Sequence, residues 1–477
     1  MRIFDTSVQE LKYKVLMELA YQTWRGNDAF TVFNEIANEI VKKGEPTMSC
    51  CIYKDRAIVA ERIRIALGGN KDNPNVIQVI DIACDECPVA GHVVTDLCRG
   101  CVAHRCADVC KVGAITFDHD QMAHIDKSKC VECGRCAKVC PYSAITNFKR
   151  PCEKGCKVDA IHMAKDGVAT IDSDKCIACG TCVYQCPFGA TLDVSSITHI
   201  IKTIMASEEN SKYKVYAIVA PSIAGQFTYA KPGQVIAAIK ELGFYAVEEV
   251  ALGADMVAYH EAKELQERGF MTSSCCPAFV KYIKTKFPDM EKHISSSLSP
   301  MAETGKLIKE RDPDAKVVFI GPCTSKKAEV RLPEVSKYVD YVMTFEELQA
   351  MIDSKDIIVD ELPEMDLHNA SYYGRIFARV GGVSEAVTEA VKEQGAEDFE
   401  FNPMVCDGID KCKNALLRAG KGALPNNFIE GMVCTDGCIG GAACLNHGEA
   451  NKKEIDHYGK HSNIKDIKTA VDLAAGK

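Results

Sequence analysis

The sequence contains no apolar run approaching the ~18 residues of a membrane-spanning helix, so no membrane association is expected. It also lacks a basic excess: 57 basic residues stand against 66 acidic ones, a formal charge of −9. That leaves no electrostatic footprint for nucleic acid, although a local basic patch for an acidic partner stays open. The first twenty residues scatter Arg2, Asp5, Glu10, Lys12 and Lys14 among apolar positions, so a signal-peptide core is missing. No Gly-x-Gly-x-x-Gly fingerprint stands between a strand and a helix, which argues against direct nicotinamide reduction by this chain. Together these absences predict a soluble, cytoplasmic protein.

Cysteine, by contrast, is abundant: 26 in 477 residues. In a long chain without a leader this favours metal over a disulfide framework. Sixteen cysteines fall between Cys84 and Cys186, and their distribution divides the chain into three. Residues 1–80 carry helical periodicity, with Val8, Leu11, Val15, Leu16, Leu19 and Ala20 on one stripe and a second helix expected over 28–42, ending at Gly44-Glu45-Pro46. Cys50-Cys51 follows as a pair of expected buried thiols. Residues 81–193 alternate cysteine clusters with short strand-like segments, in two units at 81–148 and 149–193, with too few large apolar residues for a core of their own. From 194 to 477 the composition is ordinary α/β, with apolar runs at Val215–Ala220, Ala246–Leu252 and Val317–Ile320 between helical stretches. The tail from Glu449 is charged and reads as peripheral. The expected class is α+β with an α/β C-terminal part.

Cys130-x2-Cys133-x2-Cys136-x3-Cys140-Pro141 and Cys176-x2-Cys179-x2-Cys182-x3-Cys186-Pro187 match the ferredoxin run for 4Fe-4S clusters. Three thiolates in a tight loop wrap one cube, and the fourth points at a neighbouring one. Zinc is the competing occupant, but a zinc ribbon would leave two of each four thiols surplus. By cross-ligation Cys98, Cys101, Cys106 and Cys140 form one set, and Cys130, Cys133, Cys136 and Cys110 a second. Cys176, Cys179, Cys182 and Cys156 form a third. Cys84, Cys87, Cys152 and Cys186 remain, either as a fourth cluster or as idle thiols. Three to four accessory 4Fe-4S clusters are therefore expected.

Three further motifs resemble those of the iron-only (FeFe) hydrogenases. They are Thr272-Ser273-Ser274-Cys275-Cys276-Pro277, the run from Gly321-Pro322-Cys323 to Lys326-Lys327-Ala328-Glu329, and the run from Glu430-Gly431-Met432 through Cys434 and Cys438 to Gly440-Gly441. With Ala220-Pro221-Ser222 and the iron–sulfur front, the resemblance spans roughly residues 81–448. It implies a two-lobed catalytic domain holding an H-cluster: a 4Fe-4S cube joined to a two-iron unit with carbon monoxide, cyanide and a bridging dithiolate amine. Cys276, Cys323, Cys434 and Cys438 would ligate the cube, with Cys438 shared. Lys326 would donate to a cyanide, while Pro221, Ser222 and Met432 would pack around the two-iron unit. Cys275 would hand protons to the amine, supplied through Glu261 and Glu264 with Ser296 between them. The glycines after Cys438 would allow close approach to the cluster.

The implied activity is reversible reduction of protons to dihydrogen. Electrons would pass to and from ferredoxin or a similar small carrier, and maturation proteins would supply the two-iron unit. A low-turnover hydrogen sensor and a hydrogenase-like iron–sulfur assembly protein without the two-iron unit are the alternatives. Gly321, Met301, Ala442-Ala443 and Phe279 depart from the best-known branch and look closer to group B. Cys406 and Cys412 have no assigned role.

Overall fold

In the computed structural model, residues 4–28, 31–44, 51–84, 87–88, 90–164, 167–396 and 398–475 are described. Glu45, Pro46 and Cys50 lie outside them; Cys51 is exposed, against expectation. Among the described residues no helix is long and apolar enough to cross a membrane.

The chain opens with helix α1 (Ser7–Trp24), whose N-cap Thr6 accepts from Gln9 N (3.1 Å). Its predicted stripe is buried at Val15, Leu16, Leu19 and Ala20. Helix α2 (Phe33–Ile40) is shorter than expected, and α3 (Ile52–Ala66) was not anticipated. These helices have no core of their own. Val15, Leu19, Ile36 and Ile63 share one hydrophobic cluster with Ile200, Val215, Val318 and Leu348 of the C-terminal part. Residues 1–80, expected as a separate domain, therefore pack as a layer on the C-terminal part.

Eight short strands follow: β1 (Ile77–Val79), β2 (Gly91–Val94), β3 (Ile115–Phe117), β4 (Ala123–Ile125), β5 (Ile145–Phe148), β6 (Ile161–Met163), β7 (Ala169–Ile171) and β8 (Thr191–Asp193). All four pairs are antiparallel: β2 with β5, β3 with β4, β6 with β7, and β1 with β8 in the register Ile77↔Asp193. The second unit thus begins at β1, before the first unit. The unit at 91–148, closed by β2 with β5, is inserted into another that starts near 76 and resumes at 149.

Two parallel sheets build the C-terminal part. The strands are β9 (Val215–Val219), β10 (Ala246–Glu249), β11 (Met271–Thr272), β12 (Lys316–Gly321), β13 (Tyr341–Thr344), β14 (Pro403–Asp407) and β15 (Phe428–Met432). They are ordered β10-β9-β12-β13 and β11-β15-β14. Val250–Leu252, expected to extend a strand, instead begins the long helix Val250–Arg268. The tail is also less peripheral than its charge suggests: Ile455, Ile467 and Ala470 are buried.

A buried charge cluster joins the three segments. Lys12 Nζ of α1 lies 2.6 Å from Asp193 Oδ1 and 2.5 Å from Glu346 Oε2. Lys327 Nζ lies 2.7 Å from Asp193 Oδ2 and 2.9 Å from Glu347 Oε1. Burial pushes the Asp193 pKa up, but Lys12 and Lys327 together hold it well below the usual carboxylate range. Removing one partner of a buried pair strands the other, typically at about 3–5 kcal/mol. Lys12→Met should lower the thermal midpoint accordingly, and adding Glu346→Leu should restore part of the loss. An unchanged midpoint in the single variant would show that the cluster does not hold the segments together.

Candidate metal centre

The residues singled out in the C-terminal part sit just past the carboxyl ends of four parallel strands, where open α/β sheets bind ligands. Pro221 and Ser222 follow β9, Cys276 follows β11, Cys323 follows β12, and Cys434 and Cys438 follow β15. Pro277 and Pro221 each start a helix at the first position, where a missing N–H costs nothing.

These loops enclose one cavity of about 100 Å³ lined by Cys275, Cys276, Cys323, Cys434, Cys438, Pro221, Lys326 and Met432. Its other walls are largely apolar, including Val250, Met301, Phe319 and Phe377. Lys326 Nζ pairs with Glu329 Oε2 (2.7 Å) and donates to Cys275 O (3.4 Å). Burial lowers the Lys326 pKa, but Glu329 more than offsets this, so the ammonium stays charged. Ser222 does not line the cavity, yet its hydroxyl is buried without a protein partner. Four soft thiols and one ammonium in an apolar enclosure fit an anionic iron–sulfur group.

The glycines after Cys438 let protein loops pack on each other: a Cβ at Gly440 would lie 2.1 Å from Thr435 O, and one at Gly441 2.6 Å from Pro322 O. Gly441 also lines the cavity. Phe279 packs against Gly431, while Met301 and Ala442 face the cavity. Cys406 and Cys412 are buried in the core behind it.

The helix Val250–Arg268 carries Glu261, Glu264 and Arg268 at i, i+3 and i+7, on one face. Glu261 Oε1 accepts from Ser274 N (3.2 Å), beside Cys275. Ser295 Oγ donates to Glu264 Oε2 (2.9 Å) and also acts on Glu261. Ser296 donates its backbone N–H to both Glu264 oxygens (3.0 Å each) and its side chain also acts on Glu264, but Ser295 is the serine that acts on both glutamates. Three adjacent serines gave the sequence no way to choose. Arg268 Nη1 pairs with Glu264 Oε1 near the surface; its i+4 spacing from Glu264 was the missed signal. Burial, only partly countered by the Ser274 N–H, pushes the Glu261 pKa up to about 8.

The front cysteines assemble as the spacing predicts. Cys98, Cys101, Cys106 and Cys140 line one small cavity; Cys110, Cys130, Cys133 and Cys136 line another. Cys156, Cys176 and Cys179 surround Cys182, and Cys84 and Cys186 neighbour both Cys87 and Cys152. The inserted unit explains the last grouping, because Cys84-x2-Cys87 and Cys152-x3-Cys156 form one half-motif split by residues 91–148. Cys179 also lines the cavity of Cys276 and Cys323, which puts the third set against it. Among the described residues no three metal-ligating side chains converge on a single-ion site.

Comparison with known proteins agrees with this geometry. Residues 213–442 match the C-terminal domain of the iron-only hydrogenase large subunit, and 123–146 and 169–190 match 4Fe-4S binding domains. The periplasmic Fe hydrogenase large subunit of Nitratidesulfovibrio vulgaris is 30% identical over 68% of this chain and 86% of its own. Iron hydrogenase 1 of Clostridium pasteurianum is 29% identical over 73% and 68%. The cytosolic Fe-S cluster assembly factor NAR1 of Kluyveromyces lactis is 34% identical, but over only 22% of each chain. A solved FeFe-hydrogenase structure covers 59% of this chain and 93% of its own at 18% identity with a TM-score of 0.50, a likeness of fold. With its cysteines gathered at the strand ends and a 30%-identical relative matched over most of its length, the chain belongs to the iron-only hydrogenase large-subunit family.

Proposed function

We propose that the protein is a hydrogenase that interconverts protons and electrons with dihydrogen. The observation that carries this reading is the single apolar cavity where Cys276, Cys323, Cys434 and Cys438 meet Cys275 and Lys326. The first four thiolates would hold the cube of an H-cluster, with Cys438 shared. When bound, that group supplies the redox-active metal. Lys326 offers a compact cation to its anionic ligands, and Pro221 and Met432 shape the space around it.

Proton movement falls to the chain itself. Glu264, held below the usual carboxylate range by Ser296 N–H and Arg268 against its burial, is the ionised outer member. Glu261, with its pKa near 8, keeps a proton at neutral pH, and Ser295 bridges the two. The Cys275 thiol ends the line at the cavity. Groups titrating near the working pH suit such transfer.

Electrons would enter through the four cysteine sets, each holding a 4Fe-4S cluster, from ferredoxin or a similar small soluble carrier in the cytoplasm. Maturation proteins would supply the two-iron unit. The short match to the assembly factor favours a second reading, an assembly-type role without that unit.

Infrared spectra of the anaerobically matured protein test the choice: hydrogenase requires absorption in the carbon monoxide and cyanide stretching region, and its absence would favour the assembly role. Cys275→Ala should retain those bands and lose turnover by at least the ~10²–10⁴-fold typical of general acid–base groups. An active Cys275→Ala enzyme would remove that thiol from the mechanism.

The two serines give a sharper contrast. Ser295→Ala should slow turnover about tenfold or more, whereas Ser296→Ala, which keeps its backbone donor, should stay near wild type. Equal rates in both variants would displace Ser295 from the route.

Glu261 also predicts a pH effect on stability. A carboxyl raised on folding stabilises fully below its unfolded pKa of ~4.3, and the contribution is lost as pH climbs through the folded value. Glu261→Gln should therefore gain thermal midpoint relative to wild type between pH 5 and pH 9. A difference independent of pH would contradict the raised value of about 8.

A further inference from the structure

Two of the largest fully buried side chains, Arg62 and Arg150, flank Cys84, Cys87, Cys152 and Cys186. On one side Arg150 donates through Nη1 to Cys84 Sγ (3.4 Å), through Nη2 to Cys87 O (3.2 Å) and through Nε to Pro88 O (3.2 Å). On the other, Arg62 donates through Nη2 to Phe188 O (3.0 Å) and feels the charge of Cys186. Its Nε and Nη1 are buried without an acceptor in the protein. The approach is tight, since a Cβ at Gly189 would lie 2.7 Å from Arg62 Nη2.

Among the described residues no other cysteine set has two buried guanidinium groups beside it. Backbone N–H groups contact the sulfurs of every front set, such as Ala114 on Cys110, Ala144 on Cys140, Ala160 on Cys156 and Ala169 on Cys84. Lysines stand near other sets: Lys127 by Cys130, Lys281 by Cys176 and Lys326 by Cys323. Glu153 is the described carboxylate beside the fourth set; Asp85 and Glu86 lie outside the described residues. Cys84, Cys152 and Cys186 are buried, whereas the cysteines of the inserted unit are half-buried or exposed.

Iron–sulfur potentials respond to net charge, hydrogen bonds to sulfur and solvent exposure. Adding an electron to a cluster already carrying four thiolates is disfavoured in a dry site, but fixed cations there act through a low dielectric and reverse the balance. Buried guanidinium N–H groups in turn require an acceptor.

We propose that Arg62 and Arg150 make the cluster at Cys84, Cys87, Cys152 and Cys186 the most easily reduced of the accessory clusters, so that it holds one electron in reserve. This rests on the four-cluster reading above. A one-electron carrier supplies the electron; no bond forms or breaks, and the fixed guanidinium charges balance it without a proton. The reserve suits a reaction that consumes two electrons delivered singly.

The test is a redox titration of the anaerobic holoprotein followed by spin resonance, with iron analysis. The signal missing from a Cys84→Ala/Cys87→Ala variant identifies the cluster, and that variant should contain about four fewer irons per chain. Equal iron in both proteins would overturn the four-cluster reading itself. In wild type the identified signal should appear first on reduction; if it appears last, the proposal fails even though the cluster exists. Arg150→Gln and Arg62→Gln should each lower its reduced-to-oxidised ratio about tenfold at fixed potential, a midpoint shift of about 59 mV, while Arg150→Lys should retain most of the wild-type midpoint. Normal iron with unchanged midpoints in both glutamine variants would overturn the arginine assignment. If the glutamine variants lose the cluster, the order of reduction in wild type decides.

Discussion

Asp193 is the point on which the three segments of the chain depend. It ends the last ferredoxin-like strand, and its two oxygens take Lys12 from the N-terminal helix and Lys327 from the helix after Cys323. Lys327 is the neighbour of Lys326, which faces the cysteine-lined cavity. The orientation of a cavity-lining cation is thereby tied to a carboxylate buried where the ferredoxin-like part meets the C-terminal part. Buried ion pairs are weak sources of net stability but strict about geometry, because a misplaced partner leaves an uncompensated charge. Glu346, raised by burial despite Lys12, shows how finely that local balance is drawn.

The same division between dry and wet runs along the carboxylate line. Burial keeps Glu261 protonated close to the cavity, while Glu264, nearer water and beside Arg268, is ionised. Two glutamates three residues apart on one helix are thus given opposite states by their surroundings.

What was legible in the sequence follows from how local each feature is. Ligand spacing within a loop of ten residues determines which thiols can share a cube, so three groupings of front cysteines could be read directly, while the fourth, spread from Cys84 to Cys186, was left open between a cluster and idle thiols. Cys276, Cys323, Cys434 and Cys438 could be grouped through the resemblance of their motifs, but their placement at strand ends emerged only from the fold. The pairing of β1 with β8 joins residues more than a hundred positions apart, and no periodicity in three-residue strands announces it. For the same reason the N-terminal helices looked like a domain: their apolar stripe was visible, but not that it is completed by Val215 and Val318. Ser295 and Ser296 differ only in which way each side chain points. Gly440 and Gly441 were recognised as necessary, but the backbone atoms requiring them became apparent only in the folded loops.

The inserted unit also bears on the order in which the protein is made. Cys84 and Cys87 leave the ribosome well before Cys186, and at ~5–20 residues per second the interval is roughly 5–20 s. Throughout that time β1 has no partner strand, whereas the unit at 91–148 closes on itself through β2 and β5. The inserted unit can therefore mature first, and the four thiols beside Arg62 and Arg150 come together only once β8 has emerged.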